Sequence, residues 1–411
     1  MEHIVQTVEP AAERYGPSPS ARRRDGSVGG RQRSLDGLRG IAALGVVTYH
    51  ILLAVPAVTA VVVSGRAPTP WSSEWWLYKT PLRIFVAGHE AVLVFFVLSG
   101  YVLTLQVLRH RTWRSYYPRR LVRLYVPVWA ALVVASLVVV SFVPSGAHSS
   151  AGLAFDRPTP KRLAFDAVLL FRSSNLDSPL WSLRWEIWFS LMLPVMFLIL
   201  SAAKVTRWFA AAVAVLIAAS TASRFHAVSS ALPVSFLSGG LLQYIPVFAI
   251  GMIFALHRAQ LDQWAERIDH FARARLTWRV LGVGSLMLVL CPAFLASHTR
   301  PFATANAAGY ALSLIGVCVL LFVTLERGSA SAFMTSRPVQ WLGSRSFSLY
   351  LIHAPIVVAL ALHVNSHGYF PWLLFAVPLL VVVLLVAEVF FRVVERPAHR
   401  LSRRVGRLVA D

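Results

Sequence analysis

The sequence predicts an all-α integral membrane protein, a bundle of about ten transmembrane helices with both termini cytoplasmic, and three observations carry that prediction. Of 411 residues, 57% are hydrophobic and only 14% charged, against roughly a quarter charged in an ordinary globular chain. The mean hydropathy is +0.63, and so few charges cannot cover a water-facing surface of this size. The apolar residues gather in ten stretches near 38–63, 86–108, 124–144, 186–203, 208–223, 236–256, 280–297, 307–325, 346–363 and 370–391. Most are near the ~20 residues a bilayer helix needs.

Residues 1–36 are polar and Arg-rich, with no apolar segment of signal-peptide length, and read as a disordered basic cytoplasmic tail. Residues 37–392 form the transmembrane domain, and 393–411 a second basic cytoplasmic tail. With the N-terminus inside, 29 of the 39 Lys and Arg residues fall in inward segments, as expected when cytoplasmic loops collect cations. One span more or fewer would invert the later loops and spoil that asymmetry. The outward loop 145–185 begins polar and approaches the membrane at Trp181 and Trp185. The inward stretch 257–279 places Leu261, Trp264, Ile268 and Phe271 at spacings of three and four, as an ordinary linker helix does.

The formal net charge of +21 does not mark a nucleic-acid partner, because the cations sit in short clusters between apolar runs and not along one groove-tracking face. Cys291 and Cys318 are the only cysteines, both inside apolar runs. They leave no disulfide framework and no cysteine metal site, and no metal is expected.

Ionisable residues inside a bilayer are costly, so each invites a functional reading. In LDGLRGIAALGVVTYH, Arg39 and His50 stand eleven residues apart, three helical turns plus about 20°, and therefore share a helix face. Arg39 alone would be a topology anchor; with a deep imidazole on the same face, the pair reads as the ends of a polar tunnel. In GHEAVLVFFVLSGY, Glu90 opens the second span and Ser99 and Gly100 lie towards its inner end. A Glu there is often interfacial, and Ser-Gly often serves close helix packing.

In SPLWSLRWEIWFS, Ser182 and Glu186 share a face among Trp181, Trp185 and Trp188. Glu186 suits proton transfer, with a salt bridge to Arg184 or Arg83 as its structural reading. In SFSLYLIHAP, Tyr350 and His353 lie on one side of the ninth span. Two histidines inside separate spans need polar company, and the nearest is each other or substrate. Between the second and third spans, the loop RHRTWRSYYPRRLVRLYVP carries six arginines, among them Arg119, Arg120 and Arg123. Arginine suits bidentate phosphate contact, and Tyr116 and Tyr117 could stack an adenine ring; attraction to anionic inner-leaflet lipid explains the cluster equally well.

Together these strings resemble the acyltransferase 3 family of integral membrane acyltransferases. The resemblance runs from Ser34 to Pro397 and rests on the Arg-x10-His spacing, FFVLSGYVL, RRLVRLYVP, WSLRWEIWF, FAIGMIFAL and SLYLIHAP. It implies transfer of an acyl group, usually acetyl, from cytoplasmic acyl-coenzyme A to a hydroxyl of a sugar, envelope polymer or secondary metabolite in a bacterial inner membrane. It implies catalytic roles for His50, Arg39 and Glu186. Arg119, Arg120 and Arg123, with Ser99 and Gly100, would serve the donor. Tyr350, His353, Trp181, Ser182 and Glu90 would lie near the acceptor. His50 would act as general base or carry the acyl group transiently, and Glu186 or Tyr350 would fix its tautomer or steady the oxyanion.

The GHEAVLVFFVLSGYVL string is similar to the macrolide and sugar O-acyltransferase branch, which adds glycosylated antibiotics to the acceptors. Ser190 and Phe347 depart from the family, standing where tyrosines are frequent. No outer esterase-like domain is expected on about twenty residues past the last span, so the acceptor would meet the membrane part directly. Membrane lipid is a further partner, and a homo-oligomer is compatible with the sequence. The rival reading is a proton-coupled transporter with His50, Glu186 and His353 as its relay, which paired broken helices in inverted repeats would favour.

Overall fold

The computed structural model describes residues 28–110, 113–143, 153, 155–202, 208–225, 228, 240–292, 302–327, 332–365 and 372–409. They form helices α1 (Val28–Leu53), α2 (Pro56–Val62), α3 (Ser73–Lys79), α4 (Gly88–His110), α5 (Trp113–Phe142), α6 (Pro160–Val168), α7 (Leu180–Ala202) and α8 (Phe209–Ala222). There follow α9 (Leu242–Leu256), α10 (Arg258–Asp269), α11 (Ala274–Leu290), α12 (Phe302–Arg327), α13 (Arg337–Asn365), α14 (Trp372–Phe390) and α15 (Arg396–Leu408). A 3₁₀ turn spans Pro81–Val86 and a π turn Phe391–Glu395.

Seven of these helices are long and apolar enough to cross a membrane, or eight if the bent pair α9 and α10 makes one span. That is fewer than the ten apolar stretches suggest. The stretch 208–223 yields only the 14-residue α8, and α11 has 17 residues, roughly 26 Å at 1.5 Å per residue. The stretch 38–63 is not one span. α1 stops at Leu53 and α2 starts on Pro56, whose missing N–H is harmless in a first helical turn but breaks a helix interior.

Helix α1 already begins at Val28, inside the stretch expected as tail; residues 1–27 lie outside the described ones. At the other end, the expected tail 393–411 is helical through α15. The RRLVR segment is helical too. α5 starts at Trp113 and runs through Pro118 and Pro127, so Arg119, Arg120 and Arg123 project from a helix and not from a loop. The expected linker helix in 257–279 appears as α10, set at 72° to α9.

The chain divides into two compact units. The first comprises 1–39, 92–113 and 189–343. Its core stacks Phe189 on Phe248 at 4.4 Å between ring centroids, with Phe96 at 4.5 Å on the same ring. Here α4 and α9 cross at two glycines. A Cβ on Gly100 would lie 2.0 Å from the Phe248 carbonyl oxygen, and one on Gly251 2.0 Å from that of Val97. Only glycine permits so close an approach. At the foot of α9, buried Arg258 bonds Asp262 at 2.7 Å and also Glu326, an ion triad that ties α10 to α12.

The second unit comprises 40–91, 114–188 and 344–411. It packs Tyr49 of α1 over Gly88, where a Cβ would come within 2.4 Å of the ring. The segment ahead of α7 is pinned by aromatic donors that satisfy the terminal carbonyls of α6. The Tyr125 hydroxyl bonds the Val168 oxygen at 2.7 Å and Trp129 Nε1 the Ala167 oxygen at 3.0 Å. Trp188 Nε1 reaches the Leu170 oxygen at 2.8 Å.

Candidate active site

The second unit gathers most of the residues singled out in the sequence. α1 carries His50 in its last turn, and α13 carries Tyr350 and His353 one turn apart. The two imidazoles meet: His353 Nε2 lies 3.2 Å from His50 Nδ1, the ring centroids 5.0 Å apart. His353 is fully buried. Of the two alternatives for their polar company, each other or substrate, the structure shows the first contact.

Backbone carbonyls assign the ring protons. His50 Nδ1 lies 2.9 Å from the Val46 oxygen and His353 Nδ1 3.0 Å from the Leu349 oxygen. A carbonyl can only accept, so in neutral rings both Nδ1 atoms carry hydrogen. His353 Nε2 then accepts from the shared His50 Nδ1–H, and His50 Nε2 keeps a lone pair. One histidine holds the tautomer of the other, and the nitrogen left basic belongs to His50.

Tyr350 lies beside His353, ring centroids 5.9 Å apart. Its hydroxyl is 2.5 Å from Ser182 Oγ and 3.3 Å from the Pro179 oxygen. Ser182 Oγ also bonds the Pro179 oxygen, at 3.1 Å. The start of α7 is thereby tied to the helix that carries His353. Trp181 beside it is half-buried.

Glu186, one turn beyond Ser182, forms its ion pair with Arg120. The expected partners are both engaged elsewhere. Arg83 binds Glu90 at 3.1 Å in a buried pair. Arg184 lies over the Trp185 ring at 4.4 Å and bonds the Phe171 oxygen at 3.0 Å. Glu186 and Arg120, to which the resemblance gives separate roles, are partners in one ion pair. Arg119 is packed against Gly406 of α15, its buried Nε without a hydrogen-bond partner among the described residues. Tyr116 and Tyr117 stand edge to face at 5.2 Å.

Arg39, Ser99 and Gly100 fall in the first unit. Arg39 shares the uninterrupted helix α1 with His50 and pairs with Asp36 at 3.9 Å. Gly100 has the packing role described above. Among the described residues, no group of three or more His, Cys, Asp or Glu side chains could hold a metal ion. Sequence reading missed Asp177, which is wholly buried ahead of α7.

Residues 32–392 match the family model described as an acyltransferase domain. The peptidoglycan O-acetyltransferase OatA of Listeria monocytogenes is 23% identical over 407 residues, covering 89% of this chain and 56% of that protein. The putative peptidoglycan O-acetyltransferase YrhL of Bacillus subtilis is 24% identical over 405 residues, covering 90% of this chain and 56% of its own length. The chain thus spans about half the length of the curated relatives it matches. No solved structure matches it significantly.

Proposed function

Since the chain belongs to the acyltransferase 3 family, we propose that this multi-pass membrane protein transfers an acetyl group from cytoplasmic acetyl-coenzyme A to a hydroxyl of a cell-wall glycan, in a bacterial cell membrane. The relatives' names motivate the acceptor, both being peptidoglycan O-acetyltransferases. The observation that carries the chemistry is the His50–His353 contact, which leaves His50 Nε2 with a lone pair on a ring of fixed tautomer.

An alcohol attacks a thioester slowly until its proton is removed. In the proposed step His50 Nε2 takes the proton from the acceptor hydroxyl as its oxygen bonds the acyl carbon. The C–S bond then breaks, and the departing thiolate takes the proton back from His50. During that interval the imidazolium is steadied through its Nδ1–H by neutral His353. A positioned base of this kind contributes roughly 10²–10⁴-fold. Arg119 would meet the donor's phosphates through its guanidinium. Arg120, held by Glu186, would add charge nearby without being free to wander. Tyr350 and Ser182 act as positioning residues by fixing the main chain at Pro179.

The test is transfer of label from radioactive acetyl-coenzyme A to cell-envelope glycan, in membranes carrying wild type or His50→Ala at matched expression. Label with wild type and none with the variant supports the proposal. Equal labelling by both would remove His50 as the base, and no donor consumption by wild type would remove the acyl-coenzyme A donor.

A further inference from the structure

Three aspartates lie in the segment before α7, and two of them work as loop staples. Asp156 accepts from Asn175 N at 2.8 Å and pairs with Arg162 at 3.0 Å. Asp166, fully buried, accepts from Ser174 N at 2.6 Å and Ser174 Oγ at 2.5 Å. Asp177 is equally buried, yet neither of its carboxyl oxygens has a hydrogen-bond partner among the described residues. Burying an unpaired carboxyl is costly, and native structures rarely keep one without a use.

The side chain is not what holds its own segment in place. The Asp177 main-chain oxygen accepts from Leu180 N at 3.1 Å, and Tyr350 and Ser182 both reach the Pro179 oxygen. Asp177 thus stands two residues from the point where the segment meets the helix bearing His353.

We propose that Asp177 is an acceptor-binding residue, its carboxyl hydrogen-bonding a hydroxyl of a carbohydrate bound beside Tyr350. This deepens the acyl-transfer reading and rests on it. The chemistry selects a hydroxyl over a cation. Burial, and then the neighbouring Asp166 charge, push the Asp177 carboxyl well above the usual carboxylate range. A neutral carboxyl donates one hydrogen bond and accepts another, as a sugar hydroxyl does, whereas an ammonium group or metal ion requires the ionised form.

The experiment uses the full chain in detergent, as wild type, Asp177→Ala, Asp177→Asn and His50→Ala. The probe is the soluble disaccharide of N-acetylglucosamine and N-acetylmuramic acid, its binding read by tryptophan fluorescence with Trp181 and Trp185 close in sequence. Asp177→Ala should weaken binding about tenfold or more, the scale for losing one buried hydrogen-bond partner. Asp177→Asn, which still donates and accepts, should bind within a few-fold of wild type. Neither should melt below wild type, because no side-chain hydrogen bond among the described residues is lost.

Unchanged binding by Asp177→Ala, lower melting temperatures for both variants, or no binding by wild type would each overturn the proposal. Binding needs no acyl donor, so the two readings fail separately. Wild type that binds the disaccharide but never acetylates it leaves Asp177 in place and removes the transfer reading. Loss of transfer in His50→Ala with binding retained supports both.

Discussion

His50 Nδ1 lies 3.2 Å from His353 Nε2, a contact between residues 303 positions apart. Both rings also hold backbone carbonyls one turn back in their own helices, so helix geometry sets the tautomer before any substrate arrives. A general base gains from that arrangement because its lone pair is oriented without reorganisation during the reaction.

The two histidines should therefore differ on substitution. His50→Ala should lower the transfer rate roughly 10²–10⁴-fold. His353→Leu leaves His50 in place but removes its ring partner, and should cost about tenfold to hundredfold, the range known for outer partners that orient metal-ligating histidines. Steady-state kinetics check this. kcat should fall in His353→Leu while the donor KM stays put; a rate equal to wild type would deny His353 its positioning role.

Arg120 and Glu186 form an ion pair whose side chains are 11% and 22% exposed. Removing either partner leaves a poorly solvated charge, so Arg120→Met and Glu186→Gln should each destabilise more than the double variant does. A double-mutant cycle on thermal unfolding in detergent should give a coupling of about 0.5–3 kcal/mol. Purely additive effects would mean that the pair contributes nothing as a pair.

Two glycines give opposite expectations. Gly100→Ala places a methyl 2.0 Å from the Phe248 carbonyl oxygen, and overpacking of this kind typically costs about 1–3 kcal/mol. Gly282 in α11 has nothing within 4 Å of a built Cβ. Gly282→Ala should then stabilise by roughly 0.5–1 kcal/mol, the gain of alanine over glycine in a helix. Melting temperatures of the two variants should move in opposite directions.

The loop before α7 should contribute stability that falls with rising pH. Asp177 is raised by burial and then by Asp166; Asp166 is raised by burial, with the Ser174 bonds and Arg162 opposing and Asp156 adding. A carboxyl raised on folding binds protons better in the folded state. Its contribution is therefore fully present below its unfolded value, about 3.9, and is lost as pH climbs through its folded value. Asp177→Asn removes part of that slope. Its melting temperature relative to wild type should rise as pH increases above about 4, while the Asp166 part persists.

Much of the fold was legible because a membrane span is a local property. Seven helices of sufficient length and apolarity coincide with apolar runs read from the sequence. Legibility failed where a single residue outweighed hydropathy, as Pro56 does in ending the first helix early. It failed again at RRLVR, where charge suggested a loop but α5 continues through Pro118. The candidate site was legible to the extent that its residues are costly in a bilayer, as His50, His353 and Glu186 are. Asp177 carried no such mark, since it lies in a polar loop where an aspartate is ordinary.

The sequence by itself determined that the chain lives in a membrane, where its main helices run and which titratable side chains lie along them. Those follow from composition and spacing along one helix. Only the tertiary structure decided who partners whom: His50 with His353, Glu186 with Arg120, Arg83 with Glu90. Partner choice depends on which faces of distant helices come together. The same packing leaves the Asp177 carboxyl buried without a hydrogen bond among the described residues while that of Asp166 is satisfied, a distinction no spacing between residues can encode.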